Sequence, residues 1–299
     1  MNKKILVIYY SQSGQLGEII TNFTQPLVSA GNTVEFIRVT PASAYPFPWT
    51  GKSFFAQMPD CVLHVPTQLQ PFKFIETNYD LVIIGYQAWF LSPSIPVNSI
   101  LNDIQFQNIV KNTPVIAITG ARNMWISAME DIKVSLKNAK ANLVANIVLV
   151  DKHANFVSFV TILYWMFTSK RDRFLNLFPT PGVSKEDIIN TKKFGLTVQK
   201  YLLSDNWDGL QKELVEQEAV VIKYNLMFIE SKAKRIFGLW AGLISKRKRK
   251  TPWLVAFKYY LLIALFIAAP IILTVDAIFF KPFLKKRILQ KKQYFLDVK

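Results

Sequence analysis

Five short runs of aliphatic and β-branched residues, most of them followed by a segment with helical spacing, constrain this chain more than any other feature. Lys4–Tyr10 is continuously apolar, the pattern of a strand buried on both faces rather than one with a wet side. Thr33–Val39, Leu81–Gly85, Pro114–Thr119 and Val144–Val150 read as four more strands. Gln15–Ala30, Val97–Phe106 and Ile126–Asn138 carry helical spacing between them, and Ser184 with Asp187 resembles a capping box opening a helix to about Leu203. This alternation predicts a doubly wound parallel α/β sheet of five strands. Pro41–Pro71, between strands two and three, is a Pro- and aromatic-rich insertion with no period.

The C-terminal third has a different character. Of the formal net charge of +16, residues 232–299 supply +14, from 16 basic and 2 acidic residues. A basic tail fits nucleic acid or a membrane surface, and the residues between its clusters decide against nucleic acid. Tyr259–Val275 (YYLLIALFIAAPIILTV) holds no charge, and the apolar stretch 253–280 is interrupted only by Lys258 and Asp276. A membrane segment is expected. Basic runs flank it on both sides, Lys246–Lys250 before and Lys281, Lys285–Arg287 after. Two placements follow: a single span, or a re-entrant insertion turned back at Pro270, which brings both basic flanks to anionic lipid. A second apolar run, Phe156–Phe167, is too short to span and reads as an interfacial segment or a pocket wall. Residues 205–250 read as a helical arm leading to the membrane segment. At 51% hydrophobic residues the chain is not disordered. One cysteine, Cys61, excludes a disulfide framework, and two histidines, His64 and His153, argue against a metal site. Met1–Lys4 runs directly into Ile5–Ile8, too short for a leader, so a cytoplasmic N-terminus is expected.

Three segments can carry chemistry, each following a strand. The first is Ser11-Gln12-Ser13-Gly14-Gln15-Leu16-Gly17. A hydroxyl-rich turn opening a helix offers O–H and N–H donors to a phosphate. It has neither the lysine of a P-loop nor the glycine spacing of a dinucleotide fingerprint, which suits a single terminal phosphomonoester such as that of FMN. An ordinary capped strand–helix turn has the same local pattern. The second is Gly85–Pro96, where Gln87, Ala88, Trp89 and Phe90 can stack on and hydrogen-bond an isoalloxazine ring. The third is Thr119–Trp125, with Gly120, Ala121, Arg122 and Asn123 at the same sheet edge and Arg122 available to favour an anionic reduced flavin. Trp49, Phe54, Trp125, Phe156 and Phe159 are candidate walls for a lipophilic substrate. His153, Tyr86 and Arg122 are candidates for moving a proton or holding an anion, and Cys61 reads as a small apolar filler.

Lys4–Gly17 (KILVIYYSQSGQLG), Gly85–Pro96 and Thr119–Trp125 resemble the flavodoxin-like fold over residues 1–205. That resemblance implies the strand order 2-1-3-4-5, and residues 206–299 read beside it as a basic helical, membrane-associated extension carrying the apolar segment 253–280. The whole chain more narrowly resembles the bacterial dialkylresorcinol condensing enzyme family. VIYYSQSGQL, Tyr45–Trp49, GARNMW and the basic-flanked apolar segment carry the likeness. The resemblance implies an FMN-dependent aromatase that oxidises a 2,5-dialkylcyclohexane-1,3-dione to a dialkylresorcinol in flexirubin-type pigment pathways. It also implies a partner ketosynthase that does the condensing, and a place on the cytoplasmic face of the bacterial inner membrane. A homodimer is expected by analogy, and no nucleic-acid partner. Two other functions fit the same residues: an NAD(P)H:quinone oxidoreductase of this fold, and a non-catalytic electron carrier.

Overall fold

The computed structural model describes residues 2–298. Five parallel strands form one sheet in the order β2-β1-β3-β6-β7: β1 (Lys4–Tyr9), β2 (Thr33–Arg38), β3 (Leu81–Tyr86), β6 (Pro114–Ala121) and β7 (Asn142–Val150). The intervening β4 (Ala88–Trp89) and β5 (Ser92–Pro93) form a separate small hairpin. Among the five this is the order 2-1-3-4-5 of a flavodoxin-like doubly wound sheet. Alternation along the strands divides two cores. Ile5, Val7, Leu81 and Ile83 face α1 (Gln15–Ser29) and α8 (Lys185–Ser204), whereas Leu6, Ile8, Val82 and Ile84 face α4 (Ile95–Leu101), α5 (Ile104–Val110) and α6 (Ile126–Asn138).

Local chemistry explains most boundaries. Ser184 caps α8 by accepting from the Asp187 amide at 3.0 Å, as the sequence predicts. The single helix expected over Val97–Phe106 is instead two. Asp103 accepts from the Phe106 amide at 2.8 Å and starts a second helix, because a short acid at an N-cap satisfies amides that a continuous helix would bond differently. The insertion holds two short helices, α2 (Gly51–Ala56) and α3 (Met58–Val62), the first opened by a reciprocal Thr50–Ser53 capping box.

The chain past residue 205 does not leave the sheet at once. In α9 (Leu210–Glu216) Leu210 and Leu214 are buried in the core, and the outer edge of β7 is closed by Gln211 and Ala219, which accept from the Asn146 and Val148 amides at 2.8 Å. An edge satisfied in this way cannot pair with another chain. The arm expected over 205–250 is therefore α9, an edge-covering segment, and α10 (Tyr224–Ser245).

One helix, α11 (Thr251–Phe280), is long and apolar enough to cross a membrane by length and composition. It runs through Pro270 without turning back, with π-type turns at Ala264–Ala268 and Asp276–Phe280. The first widens the helix just ahead of the proline that lacks an N–H. The re-entrant reversal expected at Pro270 is therefore not formed. The final helix, α12 (Lys285–Leu296), returns to the sheet domain, where Gln211 donates to the Leu296 carbonyl at 2.8 Å and Tyr294 to Glu130 at 2.8 Å.

Close packing of α1 on α8 seats the helix that follows the first chemical loop. At Gly195 an added Cβ would lie 2.0 Å from the Phe23 carbonyl oxygen. Gly195→Ala is expected to destabilise the fold by about 1–3 kcal/mol, despite a gain of about 1 kcal/mol in helix propensity. Urea unfolding with an unchanged slope and a lower midpoint checks this.

Candidate functional site

The loops after β1, β3 and β6 meet at the carboxyl edge of the sheet, where a parallel sheet exposes the backbone groups its strands cannot pair. Gly14 ends the first loop at φ 88°, a left-handed conformation that glycine adopts without cost. No side chain caps α1, so its leading amides point out of the helix without intrahelical partners. The Ser11 hydroxyl is buried and has no hydrogen-bond partner among the described residues. Gln12 ties this loop to its neighbours. Its side chain accepts from the Tyr10 hydroxyl and donates to the Tyr45 and Pro46 carbonyls at 3.2 and 3.0 Å, and its amide donates to Gln87 at 3.2 Å. The Gln15 amide group is spent on Val183, bonding both its N–H and its carbonyl at 3.1 Å.

The second loop is the β4–β5 hairpin. Its turn residues, Phe90 and Leu91, both have positive φ, 48° and 62°. That geometry usually calls for Asn-Gly, and here side chains hold it. Cys61 donates its thiol to the Trp89 and Pro93 carbonyls at 3.1 and 3.3 Å, and burial pushes that thiol's pKa up. Lys234, from α10, donates to the Leu91 carbonyl at 3.1 Å and to the Ser92 hydroxyl at 2.9 Å while paired with Asp131. Trp89 meets Tyr10, Tyr45 and Trp49 edge-on at 5.9, 5.3 and 5.6 Å, and Phe90 lies 4.7 Å from Phe54.

The third loop brings in a cation. Arg122 donates to the Asn155 side chain at 3.0 Å, lies 5.8 Å from the Phe159 ring, and has no carboxylate within ion-pair distance among the described residues. Burial lowers its pKa to about 10, against the opposing pull of Asp151. It stays charged at neutral pH and is a guanidinium short of an anion. Behind it, buried Asp151 accepts from Ser158 at 2.8 Å and from the amide and Nδ1 of His153 at 3.0 and 2.6 Å. At Gly120 a Cβ would strike Ile19 Cδ1 at 2.6 Å, which keeps the strand end flat against α1.

These loops enclose the polar end of a cavity of about 560 Å³. Gln12, Ser13, Gln15 and Leu16 line it from the first loop, Gln87, Ala88, Trp89 and Phe90 from the second, and Gly120, Ala121, Arg122 and Asn123 from the third. Its far wall is apolar. Phe159, Ile162 and Met166 come from α7 (Asn155–Thr168), Trp49 and Phe54 from the insertion, and Leu261, Leu262 and Leu265 from α11. The Phe156–Phe167 run is thus a helix that walls the cavity.

Several expected site residues lie elsewhere. Tyr86 is fully buried in the core beneath the sheet edge and does not line the cavity; its inward direction follows from the period-two alternation it shares with Val82 and Ile84. Trp125 is likewise core, and Phe156 is exposed, packing on Phe266 at 6.3 Å. His153 is partly exposed at the end of β7 and is not among the lining residues. Ser11 and Gly14 do not line the cavity but belong to the first loop at its edge, where the Ser11 hydroxyl is left without a partner among the described residues. The residues the sequence did not point to, Lys234 and the α11 leucines, reach the site from more than 100 positions away, and no local pattern marks them.

No protein-family model matches the chain, and the search of curated proteins gave no match. Among solved structures, the chain is similar to a flavoprotein in complex with FMN from Lactobacillus acidophilus (19% identity, covering 49% of this chain and 93% of that one, TM-score 0.41). It is also similar to a flavodoxin from the domain Archaea (9%, 67% and 99%, TM-score 0.37). A third likeness is to oxidised flavodoxin 1 from Bacillus cereus (12%, 67% and 97%, TM-score 0.34). The fold assignment rests on the strand order above.

One buried acid supports the third loop. Glu230 of α10 accepts from the Ser127 amide at 2.7 Å, at the N-terminus of α6, and its second oxygen is buried without a hydrogen-bond partner among the described residues. Burial pushes its carboxyl up to about 7, against the lowering effect of the helix amides. An acid whose folded pKa is raised holds a proton that the unfolded chain releases. Its contribution is complete below about 4.5 and is lost as pH rises to about 7, a change on the order of 3 kcal/mol. Glu230→Gln, which cannot ionise, is expected to abolish that fall, as checked by urea unfolding of both proteins across this pH range.

Proposed function

We propose that this chain binds FMN at the three-loop edge and acts as a flavin-dependent oxidoreductase on a lipophilic substrate. The observation that carries the reading is the division of the cavity: hydrogen-bond donors and the Arg122 guanidinium at the sheet edge, and an apolar chamber beyond. The donor set fits the phosphate of FMN. An orphaned buried Ser11 hydroxyl, Ser13, a left-handed Gly14 and the free leading amides of α1 supply neutral donors to a monoester with no lysine in the loop. The segments 87–90 and 120–123 would hold the ring.

Within this class, the reaction proposed is oxidation of a 2,5-dialkylcyclohexane-1,3-dione to a dialkylresorcinol, the activity that the sequence resemblance implies. The dione is acidic and ionises to its enolate, releasing one proton to water. It becomes aromatic by losing a hydride from a ring carbon, followed by tautomerisation. When bound, FMN supplies the two-electron acceptor, which oxygen or a membrane quinone then restores. The protein's own work is orientation and charge. Arg122, short of an anion and held by Asn155, stabilises the enolate oxygen in a partly desolvated place where such an interaction is strong. Phe159, Ile162, Met166 and the α11 leucines exclude water and receive alkyl chains. A condensing ketosynthase is the proposed source of the dione. α11 would keep the enzyme at the cytoplasmic membrane surface, where such a substrate partitions.

The test uses full-length, FMN-loaded protein in detergent under anaerobic conditions. Addition of a dialkylcyclohexanedione is expected to bleach the flavin band without NAD(P)H and to yield resorcinol. Bleaching by NAD(P)H alone would replace this reading with the quinone oxidoreductase. Arg122→Met is expected to slow dione-driven bleaching by about 10²-fold or more while FMN stays bound.

A further inference from the structure

We propose that α11 lies flat in the acyl layer of one membrane leaflet, rather than crossing the bilayer, and that the cavity opens onto that layer. The inference rests on the membrane attachment proposed above and specifies its form. At 30 residues the helix is about 45 Å long, more than the roughly 30 Å hydrocarbon core requires. Length alone would favour a span. The packing forbids it.

Both ends of α11 are fastened to the same folded domain. Near its start Phe257 is buried against Phe237 and Trp240 of α10, at 5.2 and 5.8 Å, and against Phe55 of the insertion at 6.2 Å. Near its end, buried Asp276 accepts from the hydroxyl of Tyr224, the first residue of α10, at 2.8 Å. The two helices therefore run antiparallel along their length. Beyond α11, α12 docks back on α6 through Tyr294 and Glu130. A crossing would drag α10 into hydrocarbon with Lys223, Glu230, Lys232, Lys234 and Arg235, and would tear Lys234 from the β4–β5 hairpin and Glu230 from α6. Charged groups inside the bilayer are costly, and breaking the buried contacts adds to that cost.

What remains outside the protein is a continuous apolar stripe. Val255, Tyr259, Ile263, Ile267, Ile271 and Val275 recur every four residues, Ile278 continues the row in the last turn, and all are exposed. Each lies nearly over the one before it, about 40° further round, so they form a continuous, slowly winding stripe. Phe156 of α7, which packs on Phe266 of α11 at 6.3 Å, extends this surface and is also exposed. Exposed patches of this kind mark an interaction site, and the charges beside it identify the partner as a lipid surface. Lys246–Lys250 precede α11, and Lys281, Lys285, Lys286 and Arg287 follow it, all exposed. A basic cluster at each end suits a helix lying along an anionic headgroup layer. A different stripe of α11, Lys258, Leu261, Leu262 and Leu265, forms the cavity wall. One helix thus meets lipid on one side and the cavity on another, and exposed Lys258 marks the rim between them.

The test uses the full-length chain with single cysteines at Val255, Ile263, Ile271, Ile278 or Lys258, each carrying an environment-sensitive fluorophore; Cys61 is buried and stays unlabelled. Proteins are mixed with vesicles of phosphatidylcholine with or without phosphatidylglycerol, and with lipids bearing quenchers at shallow or deep acyl positions. The expected result is flotation that improves about tenfold or more with phosphatidylglycerol and weakens in salt. The shallow quencher should dominate equally at the four stripe positions and also reach position 258. Deep quenching at 263 and 271 with shallow quenching at 255 and 278 would show a span and overturn the proposal, leaving membrane attachment intact. Quenching at the stripe but not at 258 would overturn the opening to lipid. Failure to float on either vesicle, with the stripe protected in a dimer seen by light scattering, would overturn both the proposal and the membrane attachment, a second copy then covering the stripe. None of these readouts uses the flavin, so they fail independently of the FMN reading.

Discussion

A parallel sheet buried on both faces can present polar groups only beyond its strand ends, and the site depends on that constraint. The strands are paired sideways and covered above and below by helices, so the loops after β1, β3 and β6 are where unpaired donors converge. The orphaned Ser11 hydroxyl and the uncapped start of α1 follow from this geometry. So does the close packing at Gly120 and Gly195, where a methyl group would push the strand end or the helix away from its seat.

The C-terminal third is joined to this edge by side chains rather than merely appended. Lys234 holds the strained β4–β5 turn, Glu230 occupies the amides that open α6, and α11 leucines complete the cavity. Two consecutive non-glycine residues at positive φ store strain that the surrounding contacts must offset. The hairpin geometry is thereby tied to the position of α10. Were the proposed lipid contact to move this helix pair, the same pair would carry the movement to the ligand loop it sets.

The sheet was legible because buried parallel strands leave uninterrupted apolar runs, and the α8 start because Ser184 and Asp187 cap locally. Most loop residues expected at the ligand edge line the cavity for the same reason: strand ends fix where loops emerge. What misled was aromatic character read without direction. Tyr86 keeps the inward alternation of Val82 and Ile84, and Trp125 belongs to the core around α6. Asp103 divides a stretch whose apolar pattern looks like one helix. Pro270 reads as a reversal, yet the preceding π-type turn absorbs it. Lys234, Glu230 and the α11 leucines reach the site through contacts over long sequence separations, which no single-sequence period encodes.

The central claim is that the first loop is a phosphate cradle for FMN, and a paired titration tests it most directly. Full-length apoprotein is titrated with FMN and with riboflavin, which differ only in the phosphate, while flavin fluorescence is followed. Two charge-assisted hydrogen bonds at about 1.5 kcal/mol each correspond to about 100-fold in affinity. FMN is expected to bind at least that much more tightly than riboflavin, and Ser11→Ala to narrow the gap. Equal affinity for the two, or no binding of either, would contradict the claim.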